Sequence, residues 1–471
     1  MEVIQKITRK ERDNLFEKYE HFFATDNNIN RKTVSFQANK TNPFYRWFKY
    51  KEGFSANLVE YYLEKYEYQG KNILDPFSGT GTTLFAGSEL NCIAYGIELL
   101  PVGIFATEAR QASERIDFDE FKSIVSKLWQ KVDSIKKPKK AIEHIRITNG
   151  AFPEKTENDL NKYLTFIDSL QSDLKIVLKF AAFSILEQIS YTRKDGQYLR
   201  WDYRSNRTAA KSKFNKGHIY SFREAIDEKI NQIIDDLDTN HVSDLFQNTK
   251  TLNSGSINLF QDSCLTKLTD FENEKFDCVI TSPPYCNRYD YTRTYALELV
   301  FLGCDNEKVK ELRQTMLSCT VENKSKIDEL EQFYKSIKRH KTFLEVQKVF
   351  NSSLAMNEVN DFLEYYKSIK KLNNNGIARM VKNYFLEMAF TIFELSRSLK
   401  KGGRIIMVND NVQYVGEEIP VDLILSDFAV QFGLSVENII VLDQKKGNSS
   451  QQMGNHGRNP IRKCVYIWQK K

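Results

Sequence analysis

Residues 71–98 leave this chain few ways to fold. KNILD is a short apolar run ending at Asp75, PFSGTG is a glycine-rich turn, and a helical pattern opens near Thr82. A second apolar run, NCIAYGIE, stops at Glu98. Two strands joined through a helix lie parallel, because the crossover carries the chain back to the end of the sheet where the first strand began. A parallel sheet is covered by helices on both faces. The stretch therefore predicts an α/β architecture with its loops gathered at one edge of the sheet. Gly79 and Gly81 allow backbone angles closed to other residues and let a ligand lie against the chain. The helix that follows offers unpaired N–H groups at the same place.

The loop resembles a Rossmann-type nucleotide loop, although it lacks the full GxGxxG spacing and has no P-loop lysine. Glu98 lies about twenty residues beyond it, where an acid accepts both ribose hydroxyls of an adenosine moiety. INLFQDS carries another acid, Asp262, to a strand end. A further β-type run, FDCVI at residues 276–280, leads into Ser282-Pro283-Pro284-Tyr285. Two consecutive prolines remove two backbone donors and hold φ near about −65°. Taken alone, such a pair is an ordinary strand terminator. Beside the glycine loop, Glu98 and Asp262, it reads as part of a site.

Alternation of strand and helix stops between Thr107 and about Ser254. A βα connection of about 150 residues far exceeds the usual few, so an inserted, mostly helical unit is expected. Helical patterns run near Phe121–Ile135, Leu160–Leu170, Ile176–Ile189 and Phe222–Leu237. A second insertion is expected from about Cys304 to Asn375, with apolar Ile327, Leu330, Phe333 and Ile337 at helical spacing among charges. A long helix over Ile377–Leu399 then leads through Lys-Lys-Gly-Gly into RIIMV, and ENIIVLD with KCVYIWQ reads as a terminal antiparallel hairpin. The expected division is 1–106 (first part of the catalytic domain, with the glycine loop), 107–254 (first insertion), 255–303 (catalytic strands), 304–375 (second insertion) and 376–471 (the closing part).

Charge informs only where it is local. The net charge of +6 is mild, but Arg193, Lys194, Arg200, Arg204, Arg207, Lys211, Lys213 and Lys216 cluster among Tyr191, Tyr198, Trp201, Tyr203 and Phe214. Cations interleaved with rings suit phosphate contact and base stacking, while the plainer alternative is a solvated loop. Seven cysteines form no CxxC pair and six histidines form no metal spacing, so reduced thiols and no metal are expected. No apolar stretch approaches the ~20 residues of a bilayer span, and the charged first twenty residues lack a signal-peptide core. A cytoplasmic protein without a membrane partner is expected.

DPFSGTG followed downstream by TSPPY closely resembles the amino-group class of S-adenosylmethionine-dependent DNA methyltransferases, particularly the N4-cytosine type. That resemblance implies a Rossmann-like methyltransferase fold, a mostly parallel sheet with a terminal antiparallel hairpin, here carrying two largely helical insertions. It implies S-adenosyl-L-methionine as cofactor, held by Phe54 and Ser55 of FSANL, by Asp75, Pro76, Phe77, Gly79, Gly81 and Thr82 of the loop, by Glu98 at the ribose and by Asp262 at the adenine. Ser282, Pro283, Pro284 and Tyr285 match the catalytic tetrapeptide.

An exocyclic amine is a poor nucleophile because its lone pair is delocalised into the ring. Ser282 Oγ and the Pro283 carbonyl are the expected acceptors that turn this lone pair toward the methyl group, and Tyr285 the expected stacking face for a flipped base. Serine at 282 leans toward cytosine N4 within that family, whereas aspartate or asparagine leans toward adenine N6. The alternatives are an N6-adenine enzyme, an RNA base methyltransferase and an inactive cofactor-binding protein. Double-stranded DNA is the expected partner, with a companion restriction endonuclease implied by family alone.

DNA contacts are expected from Arg193, Lys194, Arg200, Arg204, Arg207 and Lys211 in the first insertion. Arg288 joins them where NRYDYTRTY forms a loop over the flipped base, the alternative being that this segment packs the start of the next helix. Arg458, with Gln451, Gln452 and His456, joins them from a long polar loop at 447–463. The first insertion lies between the strands ending at Glu98 and Asp262, which departs from the family's usual placement of target recognition. Little sequence follows the last hairpin, so no recognition domain is expected there.

Overall fold

A computed structural model describes residues 8–51, 53–195, 198–205, 207, 214–246, 255–442 and 461–471. In chain order the strands are β1 (Phe23–Ala24), β2 (Asn72–Asp75), β3 (Ile93–Glu98), β4 (Thr192–Asp195), β5 (Tyr198–Trp201), β6 (Ser256–Gln261), β7 (Phe276–Thr281), β8 (Leu399–Asp410), β9 (Val412–Tyr414), β10 (Glu417–Ile419), β11 (Leu434–Val441) and β12 (Lys463–Lys470). Eight of them form one sheet in the order β1-β11-β12-β8-β7-β2-β3-β6. Only β12 runs against its neighbours, pairing antiparallel with both β11 and β8. This is the α/β architecture that the alternation predicted and the Rossmann-like methyltransferase fold that the resemblance implied.

The chain lays β2, β3 and β6 outward in one direction, then restarts on the far side of β2 with β7 and β8. That reversal opens a crevice at the carboxyl ends of β2 and β7, where open α/β sheets receive ligands. The central strands are apolar on both faces; Ile73, Leu74, Cys278, Val279 and Ile280 are fully buried. They are sandwiched between two apolar clusters, one containing the helix Ile377–Ser398 and the other the helix Ala56–Lys65.

Both insertions are largely helical. The first holds the helices Glu154–Ile167, Ser172–Ser184 and Phe222–Phe246, and β4–β5 forms a separate antiparallel hairpin within the basic stretch. The expected boundary at 106 falls inside the helix Pro101–Ser113. One apolar cluster runs from Trp47 and Phe48 through Phe180 and Phe183 to Tyr295 and Phe301. The first insertion thus shares its core with the approach to the glycine loop and with the helices after Ser282–Tyr285. The second insertion packs its helices, His340–Ser352 and Leu354–Ser368 among them, onto Ile377–Ser398. All seven cysteines are buried and free. No described helix is long and apolar enough to cross a membrane, and no metal-ligating cluster occurs among the described residues.

Candidate active site

A cavity of about 800 Å³, open to solvent, lies in the crevice between β2 and β7. It gathers Phe54, Asp75, Pro76, Phe77, Gly79, Thr82, Glu98 and Asp262 with Ser282 and Pro284. Strand ends separated by about two hundred residues in sequence converge because parallel neighbours point their carboxyl ends the same way.

Asp75 is the fastening of this crevice. Its Oδ1 accepts from Thr281 Oγ1 at 2.6 Å and Phe77 N at 3.1 Å, and its Oδ2 accepts from Thr83 Oγ1 at 2.8 Å. The carboxylate that the motif suggested for the cofactor therefore ties the end of β2 to the end of β7 and to the helix Thr82–Glu89. Burial raises its pKa to about 6, against the three donors that lower it.

Glu98 meets the glycine loop from the next strand. Gly79 N donates to Oε2 at 2.8 Å and Leu100 N to Oε1 at 2.7 Å. A carboxylate has about four acceptor sites, so each oxygen keeps capacity for a hydroxyl in the cavity. Burial raises this pKa to about 7. Gly79 has φ +52° and Gly81 +78°. A Cβ on Gly103 would lie 2.2 Å from Gly79 O, so the helix Pro101–Ser113 crosses the loop where only glycine fits.

Asp262 is exposed at the end of β6, with Oδ1 accepting from Ser263 N at 2.6 Å and Thr266 Oγ1 at 3.2 Å. Its Oδ2 accepts from no protein donor among the described residues. Together, a diol acceptor on Glu98, an amine acceptor on Asp262 and the apolar surfaces of Phe54, Phe77 and Leu99 fit an adenosine-containing ligand.

Ser282 and Pro284 reach the cavity, but Pro283 and Tyr285 are buried outside its lining. Tyr285 is 2% exposed, and the Lys463 ammonium sits 5.1 Å from its ring centroid while pairing with Asp410 at 3.0 Å. The stacking face expected of Tyr285 is thus not open in this structure. Its hydroxyl accepts from Ser282 Oγ at 3.4 Å. Ser55 also lies outside the lining; it is buried and donates to Thr33 O at 2.7 Å, holding Phe54 in place.

Several wall residues escaped sequence reasoning. Tyr50 lines the cavity and stacks on Tyr295 with centroids 5.0 Å apart and planes 9° apart. The dense aromatic run before FSANL was the signal for it. Met316 and Leu317 close another side. Their backbone is set by Glu387, whose Oε2 accepts from Ser318 N at 2.7 Å and whose Oε1 accepts from Ser318 Oγ at 2.6 Å and Lys326 Nζ at 2.9 Å. Nothing in the charge-rich sequence around 320 announces this wall.

The basic stretch is divided. Arg193 and Arg200 face outward on the hairpin. Lys194 is turned away from solvent: its side chain is 5% exposed and its Nζ lies 2.6 Å from Glu298 Oε1, over the rings of Tyr295 and Phe48. It is therefore closed to the phosphate contact expected of it. Arg204 is turned back onto Asp202 (2.7 and 2.9 Å) and Gly217 O, which holds the Asp202 carboxyl well below its usual range. Arg207 donates to Arg146 O at 2.6 Å and Ile147 O at 3.3 Å while stacked on Trp201. Alternation along a paired strand sends every second side chain inward, and the paired arginines pin the loop that follows. Arg288 bonds Asn373 Oδ1 at 2.9 Å, joining the loop after Tyr285 to the end of the second insertion. Lys211 and Arg458, with Gln451, Gln452 and His456, lie outside the described residues.

Fold and crevice together define a Rossmann-like methyltransferase. Residues 4–102, which include FSANL, the glycine loop and Glu98, match the DNA methylase family of N6/N4 type. The type II methyltransferase M.AvaI of Nostoc sp. is 49% identical over 448 residues, 94% of this chain and 89% of that protein, and M.AvaI of Anabaena variabilis gives the same values. The type II methyltransferase M.BsoBI of Geobacillus stearothermophilus is 40% identical over 477 positions, 98% of this chain and 92% of that protein. The chain belongs to this family of type II amino-methyltransferases. No solved structure matches it.

Proposed function

We propose that the protein is a site-specific DNA methyltransferase that methylates the exocyclic N4 amine of cytosine in double-stranded DNA. The observation carrying this reading is the convergence of Ser282 with Glu98, Gly79 and Asp262 on one cavity at the β2–β7 crevice. The assigned donor is S-adenosyl-L-methionine, whose sulfonium supplies an electrophilic methyl group when bound. Glu98 would accept from the ribose hydroxyls and Asp262 from the adenine amine, with Phe54 and Leu99 covering the apolar parts.

Ser282 Oγ, which lines the cavity, accepts one N–H of the target amine, and the family motif assigns the other to the Pro283 carbonyl, which lies outside the lining in this structure. Both hydrogen bonds draw the nitrogen lone pair out of ring conjugation and orient it, so the contribution is alignment and proximity. No strong base is needed beforehand, because the amine becomes acidic only as the new N–C bond forms and the donor's S–CH3 bond breaks, its electron pair staying on sulfur as a neutral thioether. The proton then passes through Ser282 Oγ to solvent. A serine, uncharged and short, suffices for this task. Its presence in place of aspartate or asparagine favours cytosine N4 over adenine N6. The type II relatives support a role in protecting DNA from a companion restriction endonuclease.

Mapping of modified bases in DNA from cells expressing the chain tests this. N4-methylcytosine at one recurring sequence is the expected result. N6-methyladenine would overturn the cytosine assignment, and unmodified DNA would overturn DNA as the substrate.

A further inference from the structure

The β4–β5 hairpin has two chemically distinct faces. Thr192, Lys194 and Leu199 point inward, and Arg193, Asp195, Tyr198 and Arg200 point outward. The inward face is bolted to the catalytic layer. Besides the Lys194–Glu298 pair, Lys51 N donates to Tyr295 OH at 2.7 Å and Lys51 Nζ to Lys194 O at 2.5 Å. Tyr295 in turn stacks on Tyr50 of the cavity wall. The ribbon is therefore fixed two side chains away from the proposed cofactor.

Its outward face has an arrangement that folding alone disfavours. Register places Arg193 directly opposite Arg200, and like charges opposite one another on adjacent strands are repulsive. Asp195 reaches Arg200 only at 4.0 Å, and both of those side chains are about half exposed. Tyr198, opposite Asp195, is 52% exposed. The Arg200 guanidinium lies 4.1 Å from the Phe214 centroid, a stacking contact that leaves its charge without an anionic partner closer than Asp195 among the described residues. Two opposed arginines are stabilised by a polyanion along the ribbon, and a two-stranded ribbon has the width of the DNA major groove.

We infer that the β4–β5 ribbon docks on duplex DNA through Arg193, Arg200 and Tyr198, whereas Lys194, Arg204 and Arg207 of the same basic stretch serve only to hold the ribbon in place. This deepens the proposed function, on which it rests, by assigning the duplex to one face of one element. It sets the duplex on the side of the cavity walled by Tyr50, because the opposite face of the ribbon is anchored to Tyr295, which stacks on Tyr50.

The test measures binding of the full chain to duplex DNA containing its methylated sequence, across a salt series, with S-adenosyl-L-methionine binding and thermal unfolding measured in parallel. Arg193→Ala/Arg200→Ala is expected to weaken duplex binding at least tenfold and to flatten the salt slope by roughly 2, about 0.9 for each phosphate no longer neutralised. Cofactor binding and unfolding temperature should stay unchanged. Tyr198→Ala, which carries no charge change, should weaken binding without altering the slope. Unchanged duplex affinity and slope in the double variant would overturn the inference even where the wild-type chain methylates DNA. An equal loss on transfer RNA used as the competitor would also overturn it, as would a wild-type chain that prefers that RNA. Absence of methyl transfer by the wild-type chain, by contrast, would count against the proposed function and leave the duplex-binding comparison to be read separately.

Discussion

The β2–β7 crevice and the basic hairpin are both rich in functional residue types, yet they use them oppositely. In the crevice, residues far apart in sequence arrive at one place because their strands are parallel and end together. In the hairpin, residues adjacent in sequence are driven apart because pleating sends neighbours to opposite faces. Arg193 and Lys194 differ by one position, and one is exposed while the other is buried against Glu298. A motif anchored to a strand end keeps its direction; a cluster of charges does not.

The largest effect that would break this contrast comes from Lys194. Lys194→Ala leaves Glu298 buried without its cation, where burial already raises the Glu298 pKa. Denaturant unfolding should show a loss of about 3–5 kcal/mol. A matched double replacement, Lys194→Met with Glu298→Leu, should recover much of it. A fully stable Lys194→Ala would mean that the hairpin is not anchored by this pair.

Next comes Ser282→Ala. Methyl transfer should fall on the order of 100-fold, the scale of losing one preorganised hydrogen-bonding partner, while equilibrium cofactor binding stays near wild type. Survival of full activity would remove Ser282 from the catalytic role and leave the crevice a binding site only.

A smaller effect follows from Glu98. Its ligand-free pKa of about 7 lies above the ordinary carboxylate value because of burial. Diol hydroxyls donate to the ionised form, so cofactor affinity is present above that pKa and lost as pH falls through it. Calorimetry should show roughly tenfold weaker binding at pH 6 than at pH 8, a change Glu98→Gln abolishes. The ligand-free protein responds with the opposite sign: the raised pKa contributes stability below the ordinary carboxylate range that is lost as pH rises toward 7. A pH-independent affinity would mean that Glu98 does not receive the ribose.

The smallest effect sharpens the comparison from the other side. Arg193→Ala should change unfolding free energy by less than about 0.5 kcal/mol, as for an exposed surface side chain. A large destabilisation there would show that the outward face is structural as well.

Legibility differed for physical reasons that particular residues illustrate. Asp75, Gly79, Glu98 and Asp262 were readable because each sits at or just beyond the carboxyl end of an apolar run, where chain direction settles which way the crevice lies. The role of the Asp75 carboxylate was not readable, since it depends on Thr83 and on Thr281, over two hundred residues away. Tyr285 was matched by motif, but its burial under Lys463 follows from the terminal strand β12. Met316 and Leu317 were invisible because a helical insertion carries no local mark of the surface it will cover.

By itself the sequence determined a mostly parallel α/β sheet and the set of strand-end groups that meet at its edge, but not the strand order that places the switch between β2 and β7. Periodicity and turn chemistry are local, so these survive without knowledge of the rest of the chain. Only tertiary structure decided which arginine is exposed, which lysine is paired and which side chains wall the crevice. Those outcomes depend on what packs against each face, and a buried charge is tolerated only where a distant partner happens to meet it.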